Sequence, residues 1–323
     1  MEQGFLARNR RFFVLCALFL GAFLVAAALT AKDDSGPSTS ERLHGPTVLR
    51  EPVDVAKVID TETTSVVPET RRPKPARGYK EIAVANGGTI RGVVKFDKAP
   101  KVGEVPFTKD QKHCGGESMK SERVVFDAES LGVANCVVYL ARIAEGKALT
   151  GEMAKDVDSR SLLIDQKACV YSPHVSVMRN QTQVVFRNSD TAEHNVRGTR
   201  SGMTQWNLLT GAGTDVADAD AFVDKTGVYT LACNLHAWMS GYIHVSDHPY
   251  MVVTDSNGAF ELADVPAGTY TLICWHEGIN EQAVIAAGEI VAYQYGPDIE
   301  VTKEVTVEGG KTAEVTFTLA APE

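Results

Sequence analysis

From about residue 80 onward the chain alternates between apolar and polar positions. Short runs of β-branched and aromatic residues, "TIRGVVKF", "CVVYLA", "QVVFRN", "VYTLA", "GYIHV", "YMVVT" and "TYTLICW", are separated by Gly, Pro, Asn and Asp. That punctuation ends strands and starts turns. The last run, "TAEVTFTL", sets Ala313, Val315, Phe317 and Leu319 on one face and threonines with Glu314 on the other. A period of two with one apolar side predicts a half-buried strand. Past the N-terminal segment no long stretch keeps a helical period, and residues 142–160 ("RIAEGKALTGEMAKDVDSR") are the best place for a short helix or an inserted loop. Strands at this spacing predict an all-β fold built of two sandwiches. After "SDHPY", near residue 247, the stretch "TDSNGAFELADVPAGTYTL" reads turn, strand, turn, strand and marks the start of the second module.

Two different textures precede these strands. Arg8, Arg10 and Arg11 stand before "FFVLCALFLGAFLVAAALTA", roughly 20 apolar residues without a charge, enough to cross a bilayer as a helix. Basic residues ahead of the run keep the N-terminus in the cytoplasm and export everything after Lys32. An uncleaved anchor is favoured over a signal peptide, whose apolar region is usually shorter, although Ala26-Ala27-Ala28 offers small residues for cleavage. Cys16, after bulky Leu15, reads as an apolar helix residue. Residues 32–78 hold six of the 13 prolines and no aromatic residue, so they lack the apolar surface to order themselves and read as a tether. The predicted organisation is a membrane helix over 1–31, a disordered linker over 32–79, one β-sandwich over 80–247 and a second over 248–323.

The chain has 323 residues, 44% apolar and 23% charged, sufficient for a real core and for two modest domains. A net charge of -9 argues against a phosphate-binding surface, so no nucleic-acid partner is expected.

Candidate chemistry concentrates in "CNLHAWM", residues 233–239, which sets a thiol, an imidazole and a thioether at every third position. Cys233 closes the strand run "VYTLAC" and strand character resumes at "GYIHV", so the stretch is a tight loop at one end of a sandwich. A blue copper centre takes one thiolate and two imidazoles in a roughly trigonal arrangement, with a long axial thioether. The loop supplies three of these. The second imidazole must come from another loop at the same end, and "RNSDTAEHNV" offers His194 after the strand "QVVFRN". The expected ligands are therefore His194, Cys233, His236 and Met239. Structural zinc has little use for a thioether. A binuclear copper loop would need a second cysteine, and none occurs between Leu231 and Tyr242. An oxidase wired to a trinuclear cluster would carry histidines beside Cys233, where Ala232 and Asn234 stand. The bland alternative keeps Cys233 as a small buried apolar residue, His236 on the surface and Met239 in the core.

The order His…Cys-x-x-His-x-x-Met, with Asn195 after the first histidine, resembles the cupredoxins, and the two-residue gap before Met239 is similar to the amicyanin loop. More closely, "DQKACVYSPHV", "RNSDTAEHNV", "CNLHAWMSGYIHVSDHPY" and "TDSNGAFELADVPAGTYTLICWHE" resemble bacterial exported proteins of plastocyanin-like or methylamine-utilisation-like type. In these a cupredoxin domain precedes a carboxypeptidase regulatory-like (transthyretin-like) segment. The resemblance covers most of residues 86–319. It implies a Greek-key β-sandwich for the first domain, a small transthyretin-like sandwich for the second, and one-electron transfer. It also implies that His236 lies nearest the surface as the exit for the electron. Asn195 is expected to brace the loop by hydrogen bonding; Trp238 reads first as a packing residue and second as one that shields or couples the site. Asn188 and Asp190 read as turn residues. "RGTRSGMTQWNLLTGAGTDV" and residues 86–140 are longer than the smallest cupredoxins need.

Five cysteines lie outside the membrane segment, an odd number that leaves at least one unpaired in an oxidising compartment, and Cys233 as a ligand accounts for it. The resemblance pairs positions such as Cys114 and Cys169, so a disulfide between them is favoured; Cys136 and Cys274 read as small buried side chains. His174, His248 and His276 with Glu277 are a weaker candidate for a second metal site, since no spacing links them. His44 and His113 lie in loop-like surroundings.

These readings imply a membrane-tethered type 1 (blue) copper protein with one copper per chain, not an enzyme, carrying single electrons between donor and acceptor redox proteins. It would be single-pass in the bacterial inner membrane with its domains in the periplasm, or secreted there if the N-terminus is cleaved. The alternative is a structural or glycan-binding cell-envelope module with a vestigial or copper-storage site. Storage or delivery asks for rows of Met or His, and the seven Met and eight His form none.

Overall fold

The alternation of the sequence is realised as strand after strand. A computed structural model describes residues 78–148, 161–213 and 220–322. The predicted membrane helix and nearly all of the linker lie outside the described residues. Among the described residues the helix is Gln111–Cys114, four residues long, and no helix is long and apolar enough to cross a membrane. Of the stretch 142–160, the described part holds the short strand Glu145–Gly146, parallel to Lys80–Glu81.

Two sheets share the core of the first sandwich. One runs in the order Asp220–Val223, Thr182–Asn188, Ser161–Lys167, Val170–Ser172; the other in the order Met203–Thr210, His194–Arg200, Gly227–Ala232, Ser240–Ser246, Val175–Arg179. Along Thr182–Asn188 every second residue is buried, so Val184 and Phe186 face Ile164, Val196, Tyr229, Leu231 and Ile243 in one apolar cluster. Each such fully buried side chain contributes about 2 kcal/mol relative to exposure. Both sheets are mixed: Thr182–Asn188 is parallel to Ser161–Lys167, and Ser240–Ser246 is parallel to Val175–Arg179.

The second sandwich is assembled from both ends of the described chain. Its sheets are Met251–Val253, Val137–Leu140, Gly268–His276, Ile299–Val307, and Ala259–Val265, Gly88–Phe96, Thr312–Leu319. Gly88–Phe96 buries alternate positions and lies parallel to Thr312–Leu319, with Thr89 opposite Thr312 and Phe96 opposite Leu319. Gly92 is glycine for space, because a Cβ there would stand 1.8 Å from the Val315 carbonyl oxygen. Ile90, Val94, Leu140, Leu272, Phe260 and Phe317 fill this core.

The boundary expected at residue 247 is therefore corrected. Strands Gly88–Phe96 and Val137–Leu140 belong to the second sandwich, and the first, from residue 161 to 246, is inserted within it. Local periodicity identifies a strand but not its partner, and the hydrogen-bonding partners of Gly88–Phe96 are the strands 259–265 and 312–319. Between the two early strands, the hairpin Glu104–Pro106 with Ser118–Lys120 and the helix Gln111–Cys114 leave the second sandwich and join the first, where Val105, Phe107 and Cys114 enter its core.

A small apolar cluster of Val137, Met251 and Trp275 with Val175 and Tyr242 joins the sandwiches. Beside it lies a buried charge network. The Arg123 guanidinium donates to Tyr242 Oη (3.1 Å), Ser240 Oγ (3.1 Å) and the Gly278 carbonyl (3.0 Å), pairs with Glu277 at 2.5 Å, and lies 3.2 Å over the Tyr295 ring.

Candidate metal centre

The loop 233–239 joins antiparallel strands whose last pair is Ala232 with Ser240. Its own backbone closes it: Cys233 N donates to the Met239 carbonyl (3.3 Å) and Met239 N to the His236 carbonyl (3.1 Å). On the other flank of Gly227–Ala232, the strand His194–Arg200 is antiparallel with Arg197 opposite Ala232. That register carries His194 and Asn195 alongside the loop. The Asn195 side chain accepts the Asn234 N–H at 2.7 Å, and its backbone N–H points at Cys233 Sγ, 3.5 Å away.

The structure brings three of the four expected residues to one point. A donor atom from each of His194, Cys233 and His236 lies within 4.8 Å of the others. His194 Nδ1 and His236 Nδ1 are 2.9 Å apart, and His236 Nδ1 is 3.7 Å from Cys233 Sγ. Both histidines are fully buried, Cys233 is 5% exposed and Met239 1%, Met239 lying in the same apolar cluster as Cys233 and Trp238.

What lies behind the rings decides their chemistry. His194 Nε2 donates to Asp190 Oδ2 at 2.8 Å and His236 Nε2 to Asp110 Oδ2 at 3.0 Å. With each Nε2 proton committed to a carboxylate, both Nδ1 atoms present lone pairs to each other across 2.9 Å, and something positive must lie between them. A proton on His194 is one solution: burial opposes it, but hydrogen bonds with Asp190 and Cys233 outweigh burial and raise this imidazole to about 8. Burial likewise raises the Cys233 thiol, yet hydrogen bonds from His194, His236 and the backbone of Asn195 and Leu235 bring it down to about 6. A metal ion is the other solution. Donors that share an ion at about 2.0–2.3 Å must lie within about 4.5 Å of one another, and the observed 2.9 and 3.7 Å separations qualify. A thiolate and two carboxylate-oriented imidazoles suit a copper ion, and Met239, in the same apolar cluster as Cys233, is the thioether of the loop.

Asp190, by sequence a turn residue, has further partners in the structure. Besides His194 it accepts the backbone N–H groups of Ala168 (2.6 Å) and Cys169 (2.8 Å). Burial raises its carboxyl, but these donors outweigh burial and hold it below the ordinary range. The position of Asp190 four residues before His194 was the available signal. Asp110, 126 positions from His236, had none.

The expected exposure of His236 is corrected. Residues 104–120 cover it: Phe107 packs on Trp238 with ring centroids 4.9 Å apart, Trp238 lies 5.0 Å from the His236 ring, and Asp110 holds Nε2. This cap is tied down by a disulfide between Cys114 and Cys169, and the Trp238 indole N–H donates to the Cys169 carbonyl at 3.1 Å. Cys136, Cys233 and Cys274 are free and buried.

Of the remaining histidines, His174 Nε2 meets Glu277 Oε1 within the charge network. His276 turns its Nδ1 to the Glu277 carbonyl (2.8 Å), and His248 donates from Nε2 to the Leu140 carbonyl (3.1 Å) while Nδ1 accepts the Tyr250 N–H. Of the second cluster the structure joins His174 and Glu277, and Arg123 pairs with the same carboxylate. His113 contacts Thr191 Oγ1 at 2.7 Å.

Comparison with known proteins gives partial matches. A family model, "Polysaccharide lyase family 4, domain II", matches residues 225–315. No curated protein matches. Among solved structures, a purple cupredoxin from Nitrosopumilus maritimus is 24% identical over 26% of this chain and 98% of its own, with a TM-score of 0.23. A methionine-to-alanine mutant of amicyanin in the Cu(I) state is 17% identical over 27% of this chain and 82% of its own, TM-score 0.23. A copper-containing nitrite reductase from Thermus scotoductus SA-01 is 19% identical over 33% of this chain and 25% of its own, TM-score 0.23. The neighbours are cupredoxins at low coverage, and the case for the site stands on its own side chains.

Proposed function

We propose that His194, Cys233, His236 and Met239 hold one copper ion in a type 1 site and that the protein carries single electrons between redox partners. The observation that carries this reading is the convergence of two imidazole Nδ1 atoms and a thiol while both Nε2 atoms are committed to carboxylates. Bound there, copper would supply one-electron cycling between Cu(I) and Cu(II). The chain's own part is to hold the donors still and dry. Asp190 and Asp110 fix the two rings, Asn195 braces the loop and directs an N–H at the sulfur, and Trp238 with Phe107 excludes water. Four protein donors, all buried, would leave a bound ion no open position for a substrate, which favours electron carriage over catalysis. A route out through His236 leads to Asp110, whose side chain is 42% exposed.

The proposal extends to a protein tethered in the bacterial inner membrane by its N-terminal apolar run, with the sandwiches in the periplasm. The two folds would then be a cupredoxin-like Greek key and a transthyretin-like module. The test is the reversible uptake of one electron per chain by copper-loaded protein, followed with ascorbate and an oxidant. Cys233→Ser should abolish the associated colour change, and a variant that kept it would sink the reading. The match of residues 225–315 to a polysaccharide lyase domain supports the second reading, a glycan-binding envelope module. Metal-independent binding of cell-wall glycans by a protein that takes up no copper would favour that module instead.

A further inference from the structure

The disulfide joins residues that do more than hold the cap. Donor atoms of Cys114, Cys169 and His236 all lie within 4.8 Å of one another, as do those of Cys169, Asp190 and His194. Cys169 therefore lies beside donor atoms of both histidines of the candidate centre. His236 faces both ways: Nδ1 toward His194 and Cys233, Nε2 toward the cap at Asp110.

We propose that Cys114, Cys169 and His236 form a second metal site, for a soft d10 cation such as Cu(I), which is closed while the cysteines are joined and opens when a dithiol reduces them. Two thiolates and an imidazole are the donors such an ion prefers, and no oxygen ligand is required. In the opening step a dithiol donates two electrons and two protons to the Sγ–Sγ bond. Cys114 and Cys169 become thiols and the donor becomes its own disulfide. Cation binding then displaces the thiol protons to solvent, and His236 Nε2 gives its proton to Asp110, the carboxylate it already faces, and turns its lone pair to the ion.

Both sulfurs stay beside His236 when the bond opens, because other contacts hold their segments. Phe107 remains against Trp238, Trp238 donates to the Cys169 carbonyl, and the Cys169 N–H is held by Asp190. A reductant reaches the bond by transient opening of the cap, which closes back on the Phe107–Trp238 contact before the ion binds. The three residues are buried, so the ion would be shielded from water once bound. This site shares His236 with the proposed copper centre and does not depend on that reading.

The experiment counts tightly held Cu(I) in the full-length protein by competition with a chromophoric chelator, anaerobically, before and after reduction with dithiothreitol and its removal. Thiol titration verifies two new thiols. The expected result is one further Cu(I) per chain in the reduced protein, and Cys169→Ser should give the oxidised count in either state. Equal counts in oxidised and reduced wild-type protein, with the new thiols verified, would overturn the proposal without reliance on any variant. Cys136, Cys233 and Cys274 are free in both states and cancel in the comparison. The visible spectrum of the oxidised protein with Cu(II) reads the first site separately. A colourless oxidised protein that gains Cu(I) on reduction would remove the electron-carrier reading and keep this one, and a blue protein with no gain would do the reverse.

Discussion

Asp190→Asn isolates the orienting role of a carboxylate that the sequence presented as part of a turn. In the wild type one side chain, buried and ionised, accepts from His194 Nε2 at 2.8 Å, Ala168 N at 2.6 Å and Cys169 N at 2.8 Å. Hydrogen bonds to a charged partner are about twice as strong as neutral ones, so each of the three loses about 1 kcal/mol when the charge is removed. Ala168 N bonds Oδ1 while Cys169 N and His194 Nε2 share Oδ2, so in either orientation the amide nitrogen opposes a donor: Ala168 N, or Cys169 N and His194 Nε2 together. His194 is left with a neutral acceptor or none, and its Nδ1 lone pair is no longer held toward Cys233. Loss of a partner of this kind typically weakens metal binding about 10–100-fold. The remaining about 2 kcal/mol falls on stability, roughly a 4–8 °C lower Tm for a unit of this size. Competition of Cu(II) against a chelator of known affinity, with thermal unfolding of the metal-free protein alongside, measures both. Copper affinity within twofold of wild type, at a clearly lowered Tm, would refute the claim that Asp190 acts by orienting a ligand. It would reduce Asp190 to a structural brace for residues 168–169.

Two further predictions follow from the titrating groups. In metal-free protein Cys233, lowered from 9.0 to about 6, should be about 90% thiolate at pH 7 against about 1% for an ordinary thiol. Its stabilising contribution is complete above the unfolded value and lost as pH falls through about 6; an ultraviolet thiolate titration with its midpoint near 9 would contradict this. Glu277→Gln leaves the buried Arg123 guanidinium without its partner and should cost about 3 kcal/mol in urea unfolding. The same change alters the pH profile: burial lowers His174 but Glu277 outweighs it and raises the imidazole above 6.5, so its contribution is present below that value and lost as pH rises through the higher folded one. The variant should lose that alkaline slope, and an unchanged slope would show that His174 and Glu277 do not titrate together.

The strands and the loop were legible because they are local. Alternation in "TAEVTFTL" and "QVVFRN" appears as alternate burial in Thr312–Leu319 and Thr182–Asn188, and the spacing of Cys233, His236 and Met239 is enforced by one closed turn of backbone. His194 was reachable by asking which other loop at that end carried an imidazole. Pairing over long separations was not legible: nothing in "TIRGVVKF" says that Thr89 lies opposite Thr312, which is why the division into domains differed. The cap was missed for the same reason, since Phe107 and Asp110 acquire meaning only once Cys114 is fastened to Cys169. His174 and Glu277 looked isolated in sequence because Arg123, which binds them into one network, sits in a stretch with no motif of its own.

The central claim, a thiolate-bound copper at the end of the first sandwich, is tested most directly by the visible absorption and EPR spectra of the purified full-length protein with one equivalent of Cu(II). The account predicts an intense blue band bleached by ascorbate, narrow copper hyperfine splitting, and loss of both in Cys233→Ser. A colourless protein, or one with only the wide splitting of ordinary tetragonal Cu(II), would contradict it and leave the cluster of His194, Cys233 and His236 as a buried hydrogen-bonded network.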